Sequence, residues 1–350
     1  DDEARVLYTL PDGTWRAANI DRFDEEVLEI DLLWGEKQQE AGHLPESVIL
    51  HKWVSGDDKR KALFDFAERL LENREPNPVT NALLCRELPR FRPGGAPPGG
   101  VFSDDLNEMC AWATQLDNSY VAVQGPPGTG KTYRAAHMVH ALVKDGQRVG
   151  ITAPNHRSIE NVLREVIMVF TEKGDLELLN GVRVKTTGSQ PELEGFTYGK
   201  ADKAARPEFN VAGTSWLFSN DKMIDARVDV LLIDEAGQFG LADALASSRG
   251  ARNLILLGDP LQLPQVNQAN HPGGGGRSAL GHVLLDEVTL PADRGVFIEE
   301  TRRMHPDICR FISDQIYEGR LGWHDDCENQ TTATGTGLRW LHANHEGNST

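Results

Sequence analysis

Cysteine is scarce in this chain, and no two cysteines are close in sequence. Cys85, Cys110, Cys309 and Cys327 form no Cys-x-x-Cys pair, and none of the eleven histidines completes a recognisable ligand set with them. That argues against a disulfide framework or a zinc site, and it predicts buried free thiols in a reduced, cytoplasmic setting. Long apolar runs are missing too. No stretch reaches the length of a membrane span, and the N-terminus has no secretory signal, so no membrane partner is expected. Positive charge is in deficit: 36 Lys and Arg face 53 Asp and Glu, for a net charge of −17. The surface as a whole is therefore no electrostatic nucleic-acid binder. A local channel stays open to that ligand, because backbone N–H groups, hydroxyls and helix N-termini also hold phosphates.

What is present suits a globular protein. The 350 residues are 39% apolar and 25% charged, enough for two or three domains and a sizeable core. The start at Asp1-Asp2-Glu3 and the polar run 345–350 read as cuts in a longer protein.

One stretch organises the rest. Gly125-Pro126-Pro127-Gly128-Thr129-Gly130-Lys131-Thr132 has the spacing of a phosphate-binding loop. Residues 120–124 before it read as a buried strand, and 134–143 after it as a helix closing at Gly146. In such a turn several backbone N–H groups converge on phosphate oxygens, and glycine leaves that approach open. Lys131 can then reach the outer phosphates and Thr132 can ligate Mg²⁺.

The N-terminal 1–56 predicts a small β-rich, barrel-like module with strands at 5–10, 15–20 and 27–34. Pro11-Asp12-Gly13 supplies a hairpin turn. Residues 57–90 form a stalk helix and its connection, with Glu75 to Asn81 ending the helix. The Pro/Gly-rich 91–102 is a linker by composition and marks a domain boundary. From 103 to 295 apolar strands alternate with amphipathic helices, the first of them capped by Ser103. This predicts an α/β fold with a parallel sheet covered on both faces. Residues 296–350 begin a further lobe, with a helix from Pro306 that turns Ile308, Phe311 and Ile312 inward.

Ligands in such sheets sit at the carboxyl ends of the strands, and several motifs fall there. The strand at 228–233 runs into Asp234-Glu235-Ala236-Gly237-Gln238. Taken alone, an Asp-Glu pair is a solvated helix start. Beside a phosphate loop, Asp234 suits Mg²⁺ and Glu235 suits the activation of water. The next strand ends in Gly258-Asp259-Pro260-Leu261-Gln262-Leu263-Pro264, where Gln262 could bond a γ-phosphate and a water. Read alone it is a turn. Arg303, in Glu299-Glu300-Thr301-Arg302-Arg303-Met304-His305-Pro306, could neutralise charge on a transferring phosphoryl group. Thr152, Pro154 and Asn155 after one strand, with Thr214 and Ser215 after another, suit backbone-phosphate contacts and equally suit ordinary turns.

In order and spacing these segments resemble superfamily 1 helicases of the nonsense-mediated-decay and immunoglobulin-mu-binding branch. The 125–132 loop looks like motif I, Thr152 to Asn155 like motif Ia, and Gly213-Thr214-Ser215 like motif Ic. Asp234 to Gln238 resembles motif II, the 258–264 segment motif III, and Arg303-Met304-His305-Pro306 the opening of the second RecA-like lobe. Arg302 stands where the family usually has an aromatic residue. The resemblance implies a RecA-like P-loop NTPase with the start of a second lobe, using ATP and Mg²⁺. It implies an ATP-dependent helicase or translocase on single-stranded nucleic acid, DNA ahead of RNA. Lys131, Asp234, Glu235, Gln262 and Arg303 would be catalytic, and the 125–132 loop with Gln238 would hold nucleotide. Thr132 and Asp234 would hold the metal; Thr152, Pro154, Asn155, Thr214 and Ser215 would meet the strand. The N-terminal module then becomes a nucleic-acid platform. Nothing after Arg320 resembles motifs V and VI, so a binding fragment without turnover stays open, as does an RNA helicase. The wording at His271-Pro272 and 317–321 is similar to the helicase half of bacterial RecB-type nuclease–helicase fusions, which would place a nuclease upstream.

Overall fold

The computed structural model describes residues 5–24, 29–40, 42, 44–45, 47–51, 56–185, 190–263, 271–333 and 335–339. Val27, Pro264 and the polar run 345–350, all singled out above, lie outside these. Contacts divide the chain into two units, 1–56 and 57–350.

The first unit is an antiparallel sheet of β1 (Arg5–Thr9), β2 (Trp15–Asp24), β3 (Glu29–Leu33) and β4 (Ile49–His51), in the order β3-β2-β1-β4. Gly13, at φ +84°, makes the expected hairpin turn, and the Asp12 carboxylate accepts the Thr14 N–H at 2.8 Å. Alternation along β1 sets the inner face: Val6 and Tyr8 are buried while Thr9 is exposed. The Tyr8 ring lies 5.4 Å from that of Trp34. Among the described residues β3 and β4 do not pair with each other, so the described strands form an open four-stranded sheet where a barrel-like module is expected.

The second unit is built on eight parallel strands: β5 (Tyr120–Gln124), β6 (Val149–Thr152), β7 (Gly181–Val184), β8 (Phe196–Gly199), β9 (Asn210–Ala212), β10 (Val228–Ile233), β11 (Ala251–Gly258) and β12 (Gly295–Phe297). Their spatial order is β12-β5-β11-β10-β6-β9-β7-β8. Successive side chains of the central strands enter two different cores. Val121, Val123, Val230, Leu232, Ile255 and Leu257 face one. Tyr120, Ala122, Leu231, Ile233, Leu254 and Leu256 face the other. Both faces must therefore be covered, which is why these strands read as unbroken apolar runs. The helices Leu106–Ala113, Lys131–Lys144 and His156–Glu172 cover the first face. The helices Pro78–Leu84, Leu241–Ser247 and Ala279–Leu284 cover the second.

Local chemistry sets most helix ends. Asn155 caps the 156–172 helix by accepting the Ser158 N–H at 2.9 Å. Ser103 is not the cap expected: Asp105 accepts the Asn107 and Glu108 N–H groups at 2.9 and 3.0 Å, and the Ser103 hydroxyl turns to the Glu108 carboxylate. The stretch expected only to end the stalk helix instead starts a new one. Asn77 caps the Pro78–Leu84 helix, with Pro78 in its first turn where a missing N–H does no harm. Residues 91–102 are tied down at both ends, because Phe91 bridges Leu116 and the Phe102 N–H donates to Ala292 O at 2.7 Å.

Beyond β12, β13 (Glu300–Thr301) and β14 (Gly322–Trp323) pair in parallel on either side of the Pro306–Ile316 helix. That helix buries Pro306, Cys309 and Ser313, three or four residues apart. Phe311 was expected to face inward but is 53% exposed, because it lies two residues from Cys309 and so on another face. Nor are all four thiols buried. Cys309 and Cys327 are, but Cys110 is half-buried and Cys85 exposed, and all four are free.

Candidate nucleotide site

The 125–132 turn sits where β5 meets the helix at Lys131. Gly128 and Gly130 both take positive φ, +78° and +76°, bending the chain into the helix. Among the described residues no side chain caps that helix, so its first N–H groups face the turn. The Thr129 hydroxyl donates to Pro126 O at 2.8 Å, and Lys131 Nζ donates to Gly125 O at 2.6 Å. The Gly125 N–H donates to Gly258 O at 2.9 Å, which ties the loop to the end of β11.

The end of β10 lies against the same loop. Asp234 is 5% exposed, and its Oδ1 is buried with no hydrogen-bond partner among the described residues. Burial, reinforced by Glu235, pushes its carboxyl up to about 7. Glu235 is half-buried, at φ +53°, and its carbonyl accepts the N–H of the half-buried Gln238 at 2.8 Å. Burial lowers the Lys131 ammonium; Glu235, Asp259 and Asp234 pull it the other way, and Arg303 presses it further down. The lysine, three carboxylates and the arginine therefore form one electrostatic site.

The third wall is the end of β11. Asp259, 2% exposed, accepts the Leu261 N–H at 3.2 Å, the Gln262 side-chain amide at 3.3 Å and the Tyr317 hydroxyl at 2.6 Å. Across the loop, the Thr301 hydroxyl donates to Pro127 O at 2.8 Å and the Arg302 N–H to Gly128 O at 2.9 Å. This contact brings Arg303 to the phosphate turn. The Arg302 side chain stays in solvent, 3.5 Å from Glu300, and His305 caps the next helix by accepting the Asp307 N–H.

A triphosphate and its metal fit these residues. Among the described residues no group of three or more His, Cys, Asp or Glu could hold a metal unaided. The unpaired Asp234 oxygen, with half-buried Thr132 in the first turn of the loop helix, suits a Mg²⁺ site completed by phosphate oxygens and water.

The expected strand contacts divide. Thr152 is fully buried and Ser215 is 3% exposed, because one ends a central strand and the other begins a packed helix. Their side chains cannot reach a bound strand in this conformation. Pro154 and Thr214 are half-buried and Asn155 is exposed, so these three are left to do so.

A family model described as an AAA domain matches residues 104–288, more than half the chain. The chain belongs to that AAA domain family. Its similarity to regulators of nonsense transcripts and to ATP-dependent helicases supports a superfamily 1 helicase of the nonsense-mediated-decay branch. The Drosophila melanogaster "Regulator of nonsense transcripts 1 homolog" is 28% identical over 322 residues, covering 78% of this chain and 26% of the relative. The Saccharomyces cerevisiae "DNA replication ATP-dependent helicase/nuclease DNA2" is 28% identical over 160 residues, covering 44% of this chain and 10% of the relative. An arterivirus nonstructural protein 10 helicase structure aligns at 14% identity with a TM-score of 0.37, covering 92% of this chain and 58% of that one. The chain spans about a third or less of the length of the first relatives it matches. No described helix is long and apolar enough to cross a membrane.

Sequence reasoning missed part of this site. Asp259 passed as turn scaffolding, although its carboxylate anchors Gln262. Thr301 and Tyr317 went unassigned because their partners, Pro127 and Asp259, lie 174 and 58 residues away. Gly237 carried a usable signal: a Cβ there would stand 2.2 Å from Asp259 O, so only glycine lets the ends of β10 and β11 close.

Proposed function

We propose that the parent protein is an ATP-dependent helicase or translocase that moves on single-stranded nucleic acid. The observation that carries this reading is the buried Asp234 carboxyl, held up at about 7 within electrostatic reach of Lys131. A carboxylate so desolvated becomes favourable when a divalent cation and phosphates share its site. Mg²⁺, when bound, would neutralise charge on the β- and γ-phosphates.

Position supports the following roles. The N–H groups of 125–130 and the helix N-terminus cradle phosphates, and Lys131 exchanges its carbonyl partners for phosphate oxygens. Thr132 and Asp234 would hold the metal. Glu235 orients water and takes its proton, Gln262 bonds the γ-phosphate, and Arg303 stabilises that phosphate's charge from the other side. Pro154, Asn155 and Thr214 offer the strand contacts that ignore base sequence. Closure around ATP would shift that grip and produce movement. The 1–56 module is proposed as a nucleic-acid platform, and a nuclease half upstream as a neighbour.

Steady-state ATP hydrolysis by the full-length protein, with and without single strands, tests the reading. Strand-stimulated turnover that Glu235→Gln reduces about 100-fold or more, with ATP still bound, supports it. ATP binding without turnover in the unmodified protein would leave only a binding module. The relatives' names mention both transcripts and DNA replication, so DNA and RNA strands of equal length are compared. Metal-dependent cleavage by the same protein checks for the nuclease.

A further inference from the structure

Tyr317 has no role in the nucleotide site as proposed so far, yet of the three bonds to the Asp259 carboxylate its own is the shortest, 2.6 Å from hydroxyl to Oδ2. Both residues are 2% exposed. The same carboxylate takes the Leu261 N–H and the Gln262 amide. Tyr317 ends the Pro306–Ile316 helix, donating its N–H to Ser313 O at 2.9 Å, and its ring packs 6.1 Å from that of Phe297 in β12. Its neighbours reinforce the junction. Glu318 accepts the Thr289 hydroxyl at 2.5 Å, and Arg320 donates to Leu290 O and to the Glu299 carboxylate, each at 3.2 Å. Gln124, at the end of the phosphate-loop strand, accepts the Leu290 N–H at 2.8 Å. The turn after the helix is thus bonded to the segment that Gln124 holds, and its phenol reaches the loop carrying Gln262.

We infer that Tyr317 is a positioning residue that couples the Pro306–Ile316 helix to the γ-phosphate site, acting through Asp259 on Gln262. A buried carboxylate keeps a fixed orientation only while its donors saturate it. Removing the phenol frees one oxygen lobe and lets the Gln262 amide swing. The helix is part of the segment carrying Arg303, so its movement reaches Gln262 through one hydrogen bond. A distinction between ATP and ADP made at Gln262 is passed to the helix by the same route.

This rests on the proposed role of Gln262, and the test separates the two. In the full-length protein, Tyr317→Phe should weaken a non-hydrolysable ATP analogue about tenfold while ADP affinity stays within about twofold. It should lower strand-stimulated kcat with little change in KM. Asp259→Asn, which also removes a charge facing Lys131, should weaken the analogue at least as far, and adding Tyr317→Phe to it should bring no further loss, since both cut one path. A melting temperature for each variant screens out simple unfolding. Equal loss of ADP and ATP-analogue binding, no loss of either, or additive losses would each overturn the coupling. Gln262→Ala judges the underlying role: if it leaves the ratio of ATP-analogue to ADP affinity unchanged, the γ-phosphate reading itself fails. If Gln262→Ala lowers that ratio and Tyr317→Phe does not, only the coupling falls.

Discussion

Gly128 and Arg303 approach so closely that a Cβ on the glycine would stand 2.2 Å from the arginine Cβ and 2.7 Å from the Thr301 hydroxyl. The glycine also has φ +78°, so an added methyl meets both strain and collision. Gly128→Ala should cost about 2–3 kcal/mol of nucleotide binding, roughly 30- to 150-fold in Kd. Titration with a fluorescent ATP analogue reads this directly. Affinity within threefold of the parent would show that the loop and the 301–303 segment part freely.

Where structure is local, the sequence was readable. The 125–132 loop announces itself by spacing, and β5, β10 and β11 by apolar runs whose alternate residues feed two cores. What stayed hidden depended on partners far along the chain or on a side chain's direction. Two prolines around Asn77 looked like a helix stop, yet one of them opens a helix. Thr152 and Ser215 have the right chemistry for a strand contact, and only packing reveals that they point inward. The Pro/Gly composition of 91–102 resembles a linker, though the contacts divide the chain at 56 instead.

Asp234 gives a pH signature in the nucleotide-free protein. Its folded pKa, about 7, lies above its ordinary 3.8. The native state therefore holds a proton that the unfolded chain has released between about pH 4 and pH 7, and native stability falls as pH rises through that window. Asp234→Asn removes this loss. Chemical denaturation should find the variant no more stable than the parent at pH 4 and about 2–4 kcal/mol more stable at pH 8. Equal differences at both pH values would mean that the carboxyl titrates normally.

Glu160 and Lys185 form an ion pair at 2.7 Å, with side chains 11% and 8% exposed. Glu160→Ala strands a buried ammonium and should destabilise the protein by about 3 kcal/mol. Pairing Glu160→Leu with Lys185→Met should restore part of that loss, because the stranded ammonium is gone while the buried Arg183 guanidinium still lacks the Glu160 charge. Urea titration of the three proteins decides, and a double variant as unstable as the single one would reject charge burial as the cause.

Asn155 has two candidate roles, cap and strand contact, and substitution can part them. Asn155→Ala loses the bond to the Ser158 N–H and should cost about 1 kcal/mol of stability. Asn155→Asp keeps a good cap but sets a negative charge beside a phosphate backbone. Its melting temperature should match the parent while single-strand affinity drops about tenfold. Unchanged strand affinity would confine Asn155 to capping.

The strand order also bears on how the protein is born. Among the described residues the phosphate-loop strand β5 is flanked by β11 and β12, which follow it by more than a hundred positions. Through the synthesis of β6 to β10, β5 therefore lacks the described strands that flank it in the finished sheet. The wall that carries Arg303 follows later still, so the complete nucleotide site is expected to assemble late in synthesis.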